Sequence, residues 1–168
     1  MSQPIDLPTP ASCQRDAAGR LVGVVIDSTP ALPAPAANPW LVAVDSSDNA
    51  LRAVAHAAAQ AGTVTACALH LVSVQPWLSR EAAETELAQR AWLATAEARR
   101  LLDARGQPWR LHVAMGETVE QIIALASRLG CSRIVVGSRR LSVPESLLLG
   151  SVTDKLLHLC PHPVTVVP

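Results

Sequence analysis

The chain has 168 residues, of which 49% are apolar, enough for one domain with a sizeable core. Fourteen Lys and Arg balance fourteen Asp and Glu, for a formal charge of zero, which excludes a general nucleic-acid or polyanion binder, whose binding face carries a clustered basic excess. Four Trp with no Phe and no Tyr exclude a stacking platform for single-stranded nucleic acid and leave Leu, Val, Ile and Ala to build the core.

Residues 1–39 hold seven of the thirteen prolines, a density that opposes regular helix. This stretch is expected to be a partly disordered extension. One β-branched island within it, residues 21–27 (LVGVVID), has the length and composition to add a strand to a sheet edge. Residues 1–6 lack a basic start followed by an apolar run, so no secretory signal is expected. No run of 18 apolar residues predicts a membrane span. Cys13, Cys67, Cys131 and Cys160 form no Cys-x-x-Cys pair, and reduced thiols in a cytoplasmic protein are expected.

From Trp40 the pattern alternates. Residues 40–45 (WLVAVD) form a continuous apolar run ending in an acid, the mark of a strand buried on both faces. Ser46 to Asn49 offer N-caps for a helix through about Ala61, with Gly62 placed to end it. A second strand is expected over 64–74, stopped by Pro76. A long helix follows over 79–104, with Ser79 as its cap and Leu87, Ala91, Ala94, Ala98 and Leu101 on one stripe. A third strand covers 109–115, a helix 117–129 closes on Gly130, and a short strand covers 134–137. After a loop, a helix over 150–159 and a last strand over 164–167 complete the chain.

Short apolar strands alternating with amphipathic helices predict an α/β fold: an open parallel sheet with helices on both faces. Ligands in such sheets bind outside the carboxyl ends of the strands, at a topological switch point. Asp45, Gly116 and the loop from Gly137 to Ser151 fall there. In that loop a strand ends in Gly, a polar stretch follows, and Gly150-Ser151 opens a helix. A helix N-terminus presents unpaired N–H groups to an anion, and glycine lets the backbone approach it.

The residues VAVDSS at 42–47, ALHLV at 68–72, VAMG at 113–116, IVVGSRRLS at 134–142, LLLGSVTDKLL at 147–157 and PHPVTVV at 161–167 resemble the universal stress protein family in order and spacing. The resemblance covers 40–168. It implies a five-stranded parallel sheet of the Rossmann-like, adenine nucleotide alpha hydrolase-like kind, and a homodimer joined through residues 164–167. It further implies a non-catalytic regulatory or interaction module of the stress response, open to protein partners, with no nucleic acid and no membrane among them. Family members that bind ATP carry Gly-x2-Gly-x9-Gly-Ser/Thr. Carried onto this chain, the pattern gives Gly137, Arg140 in place of the middle glycine, Gly150 and Ser151. Asp45, Leu71, Gly116 and Val152 match positions lining the same cleft.

The departures bear on ATP as a cofactor. A non-glycine residue at a position needing positive φ costs about 1–2 kcal/mol, roughly tenfold in affinity. Val143 stands where family members commonly have a small Gly, Pro144 stiffens the segment, and Glu145, where they often have a basic residue, sets a negative charge near the phosphates. Against these, the Arg140 guanidinium could fork onto a phosphate. The expectation is therefore a module without a cofactor. The alternative is an ATP-binding sensor that uses Arg140 in place of the motif glycine.

Two other constellations are set aside. His158, Cys160 and His162 have metal-ligand chemistry, but they span a helix end and the approach to a strand, and no metal is expected. Asp45, His70 and Ser151 do not form a hydrolase triad: no Gly-x-Ser-x-Gly elbow exists, and no catalytic residue is assigned. The loop 45–49 also lacks the glycines of related nucleotide-chemistry enzymes.

Overall fold

The computed structural model describes residues 4–33, 38–138 and 150–168. A seven-stranded mixed sheet runs β1 (Ser12–Arg15), β2 (Leu21–Asp27), β5 (Trp109–Met115), β4 (Cys67–Gln75), β3 (Asn38–Ala43), β6 (Arg133–Gly137), β7 (Val164–Val167). The five strands expected from Trp40 onward are present and parallel to one another, in the order β5-β4-β3-β6-β7. Five is not the whole sheet, however. The N-terminal stretch contributes a hairpin, β1 antiparallel to β2 and β2 antiparallel to β5.

The hairpin is held by burial as well as by its ladder. Leu21, Val24 and Ile26 are buried in the core, and Asp27 pairs with Arg110 across β2 and β5 at 2.6 Å. Ser28 then accepts the Trp109 N–H at 2.9 Å through its hydroxyl.

Five helices flank the sheet: α1 (Asp48–Ala61), α2 (Arg80–Ala94), α3 (Ala96–Ala104), α4 (Thr118–Leu129) and α5 (Ser151–Leu159). The first three cover one face, where Leu69, Leu71, Trp109 and Leu111 meet Val54, Leu87 and Leu102. The last two cover the other, where Leu41, Val72 and Ile134 meet Ile122, Leu125 and Leu156. The period-2 alternation of strand side chains divides the core in this way.

Three boundaries differ from the sequence reading. Residues 79–104 are two helices, because Thr95 is fully buried and its hydroxyl donates to the Ala91 carbonyl at 2.8 Å; such back-bonding bends a helix. Here it ends α2 with Thr95 at φ −102°, ψ 5°. β4 begins at Cys67 because Ala66 sits at φ 55°. β3 starts at Asn38 and ends at Ala43, so Asp45 lies past the strand rather than on it.

Candidate functional site at the sheet switch point

The strand order reverses between β3 and β6, where connections leave in opposite directions along the sheet. A cleft of about 230 Å³ opens at the carboxyl ends of these two strands. Ala43, Val44 and Asp45 at and just past the end of β3, Val136 and Gly137 of β6, Val72 and Val74 of β4, Thr118 and Ile122 of α4 and the first turn of α5 line it.

Each polar group has a local cause. The Asp45 carboxylate accepts the Ser47 N–H at 2.8 Å and the Ser47 hydroxyl on the same oxygen. The Ser47 hydroxyl in turn accepts the Ala50 N–H at 3.2 Å and caps α1. The acid is thus locked into the turn that starts the helix, and its second oxygen has no partner among the described residues. Arg52 ties the rim together: it donates to Asn49 Oδ1 at 2.9 Å, to the Ser138 carbonyl at 3.3 Å and to the Pro168 carbonyl at 3.1 Å.

Gly137 is required by the fold. A Cβ there would meet the Asn49 carbonyl oxygen at 2.1 Å, so only glycine lets the start of α1 rest on β6. Across the cleft Gly150 caps α5 without any side-chain hydrogen bond. Among the described residues no side chain caps the N–H groups of the first turn, and the positive end of the helix dipole lies at the cleft that this turn lines. Thr153 is buried below them and donates to the Gly137 carbonyl at 3.3 Å.

Asp45, Gly137, Gly150, Ser151 and Val152 therefore come together around one cleft. Leu71 does not join them. It is fully buried against the α1–α3 face, and the β4 residues that line the cleft are Val72 and Val74. Alternate residues of a strand face opposite sides of the sheet, so Leu71 and its neighbour Val72 are turned to different faces. Gly116 also stands outside the lining. It has φ 137°, donates to the Gln75 carbonyl at 3.0 Å, and has Trp77 within 3.3 Å of where its Cβ would be. It turns the chain out of β5, and Thr118, two residues on, reaches the cleft. Arg140, with Arg139, Val143, Pro144 and Glu145, lies outside the described residues.

Sequence reasoning missed Ser47, Asn49, Thr118 and Thr153. Of these, Ser47 and Thr153 carried a readable signal: a Ser at a helix N-cap two residues after an acid, and a Thr in the first turn of a glycine-led helix. Among the described residues no group of His, Cys, Asp and Glu could hold a metal ion. His158 bonds to the Asp154 carbonyl at 2.8 Å and His162 to the Ser127 hydroxyl at 3.0 Å, on different elements. No helix among the described residues is long and apolar enough to cross a membrane.

No curated protein matches the chain. Solved structures do match in fold. One is a universal stress protein from Archaeoglobus fulgidus, 24% identical, covering 79% of this chain and 95% of that one with a TM-score of 0.65. A universal stress protein from the same organism in complex with dAMP is 23% identical over 78% and 98% of the two chains, with a TM-score of 0.62. A universal stress protein family protein from Arabidopsis thaliana with AMP bound is 18% identical over 77% and 90%, with a TM-score of 0.58. At these identities the likeness shows the fold alone. The model of the universal stress protein family matches residues 38–168, and on that match, which takes in every parallel strand and the whole cleft, the chain belongs to the universal stress protein family.

Proposed function

We propose that this chain is a non-catalytic, cytoplasmic regulatory or interaction module of the stress response that works as a homodimer joined along β7. The open edge of β7 carries this reading. Pro163 and Val167 accept N–H groups from the β6 side at 2.9 and 2.8 Å. In a parallel pair this directs the backbone of the odd-numbered residues to β6 and leaves that of Val164 and Val166 facing outward. On the adjoining α5, Leu157 is 46% and Leu159 66% exposed. A short apolar edge with exposed leucines beside it suits pairing with its own copy about a two-fold axis, and a net charge of zero offers no repulsion against it. Sedimentation velocity tests the assembly, with a dimer expected at micromolar protein and a monomer counting against it.

The non-catalytic part rests on the cleft. Among its described lining residues Asp45 is the one ionisable side chain, and it is held by Ser47. A nucleophile needs an adjacent base with an orienting partner, and a general acid–base pair needs a second titratable group.

The first turn of α5 favours a second reading, an ATP-binding sensor. Here the phosphates would face the N–H groups of Gly150, Ser151 and Val152, the free oxygen of Asp45 would accept from a ribose hydroxyl, and Arg140 would replace the motif glycine. The dAMP and AMP complexes of proteins with this fold support it. Calorimetric titration with ATP and Mg²⁺ separates the readings. Micromolar binding by the wild type that Ser151→Glu abolishes would establish the sensor, since a carboxylate at a helix N-terminus keeps the helix stable while repelling phosphate. No heat up to about 1 mM ATP, a binding energy of roughly 4 kcal/mol, would leave the module without a nucleotide.

A further inference from the structure

A larger cavity, about 390 Å³, lies at the amino end of β5, and so at the opposite end of the parallel strands from the cleft. The α2–α3 bend and the approach to β5 form one side, with Trp92, Arg99, Asp103 and Trp109. Asp6 and Pro30 of the N-terminal extension form the other. The extension lies outside the stretch that matches the family, whereas Trp92, Arg99, Asp103 and Trp109 lie within it, so the chain's own addition closes one side of this cavity.

Arg99 is set in place before any ligand arrives. Its guanidinium stacks on Trp92, with Cζ 3.2 Å from the ring centre. Nε donates to the Thr95 hydroxyl at 3.2 Å and Nη2 to the Trp92 carbonyl at 2.7 Å. Nη1 has no partner among the described residues, and none of their carboxylates lies within ion-pair distance. Burial pushes the Arg99 pKa down to about 10, an effect that Asp103 offsets only in part. An anion would complete this charge.

A simple anion meets an obstacle. Asp103 gives one oxygen to the Trp109 indole N–H at 2.8 Å and keeps the other, while Asp6 has no partner among the described residues. A third carboxylate of the lining, Asp27, is taken by Arg110 through both oxygens, so Asp103 and Asp6 share the cavity with the one guanidinium of Arg99 and together repel a bare anion and attract a cation. A ligand that carries both charges satisfies all three groups. The indole and proline walls suit an apolar body, and the volume falls in the range of small-molecule sites.

We propose that this cavity binds a small zwitterion, a free α-amino acid with an apolar side chain, its carboxylate on Arg99 and its ammonium facing Asp103 and Asp6. Trp92 and Trp109 report binding directly, since the chain has only four Trp and no Tyr. The probes are L-leucine, L-isoleucine, L-valine, L-methionine and L-phenylalanine, each titrated to about 10 mM, where even a weak site of about 1 mM affinity fills. A saturable change in tryptophan fluorescence is expected for at least one. For that amino acid, the carboxamide, which lacks the anion, and the N-acetyl derivative, which lacks the cation, should each bind about tenfold more weakly or worse.

Asp103→Asn keeps an acceptor for the Trp109 indole and removes the charge. It should weaken the amino acid about tenfold while leaving the melting temperature in place. Arg99→Gln should abolish binding, and its melting curve shows whether the α2–α3 bend survives. No saturable response to any of the five probes overturns the proposal. So does equal binding of the parent amino acid and its two capped derivatives.

Discussion

Gly137 carries a structural demand that its place in a sequence motif does not reveal. The sequence marks it as the glycine before a phosphate loop. The structure adds a demand that is independent of any ligand, because its Cβ would lie 2.1 Å from the Asn49 carbonyl. Gly137→Ala should therefore cost about 3 kcal/mol or more, since neither the start of α1 nor β6 can give way without losing its own contacts. Urea denaturation of the variant without nucleotide measures it. Unchanged stability would mean that the glycine serves only a ligand. Leu71 shows the limit of the same kind of reading. In a strand one position decides which side of the sheet a side chain faces, and Leu71 faces the α1–α3 side. The hydrophobic run 67–74 offers no alternation to fix that register, because both faces of β4 are covered.

At the scale of elements, the parallel strands were legible because each is a short apolar run closed by Gly, Pro or a cap. The long helix was legible as helical but not as broken. The break depends on a buried hydroxyl, and Thr95 in an Ala-rich stretch signals this only once its burial is known. The hairpin was half legible. β2 is β-branched and stands out, whereas β1 is Ser-Cys-Gln-Arg with all four residues exposed. Moreover, β2 pairs with a strand more than eighty residues away, as Asp27 and Arg110 show, a distance that local pattern cannot span.

The strands also carry a pH dependence between them. His70 on β4 and His112 on β5 are buried and bonded to each other at 2.9 Å. Burial pushes their pKa values down to about 4 and about 3. Arg110 lowers both further, His70 and Arg128 add to the effect on His112, and Asp27 opposes it. In the unfolded chain both imidazoles take up protons near pH 6.5, while the folded chain takes them up only near 4 and 3. Stability is therefore full above about pH 6.5 and falls as the pH drops. Near pH 5 the slope reaches up to about 2.7 kcal/mol per pH unit for two protons. Urea midpoints across pH 5–7 check this, and His112→Gln, which leaves one titrating partner, should roughly halve the slope in that window. A flat profile would contradict it.

At the scale of the whole molecule, the two ends of the sheet are treated differently. At one end the added hairpin pairs with β5, and the new margin, β1, is short, polar and exposed. Such a margin discourages further pairing. At the other end β7 keeps its outward backbone groups, with Val164 and Val166 half-buried and two leucines of α5 exposed nearby. The hairpin thus leaves β7 as the apolar edge of the sheet, and homodimerisation there is the central claim. Sedimentation velocity of the wild type beside Val166→Pro tests it most directly. Proline at 166 removes an outward N–H and spares the bonds that tie β7 to β6. The expected result is a dimer for the wild type and a folded monomer for the variant. A monomeric wild type, or a dimer untouched by the proline, would contradict the account.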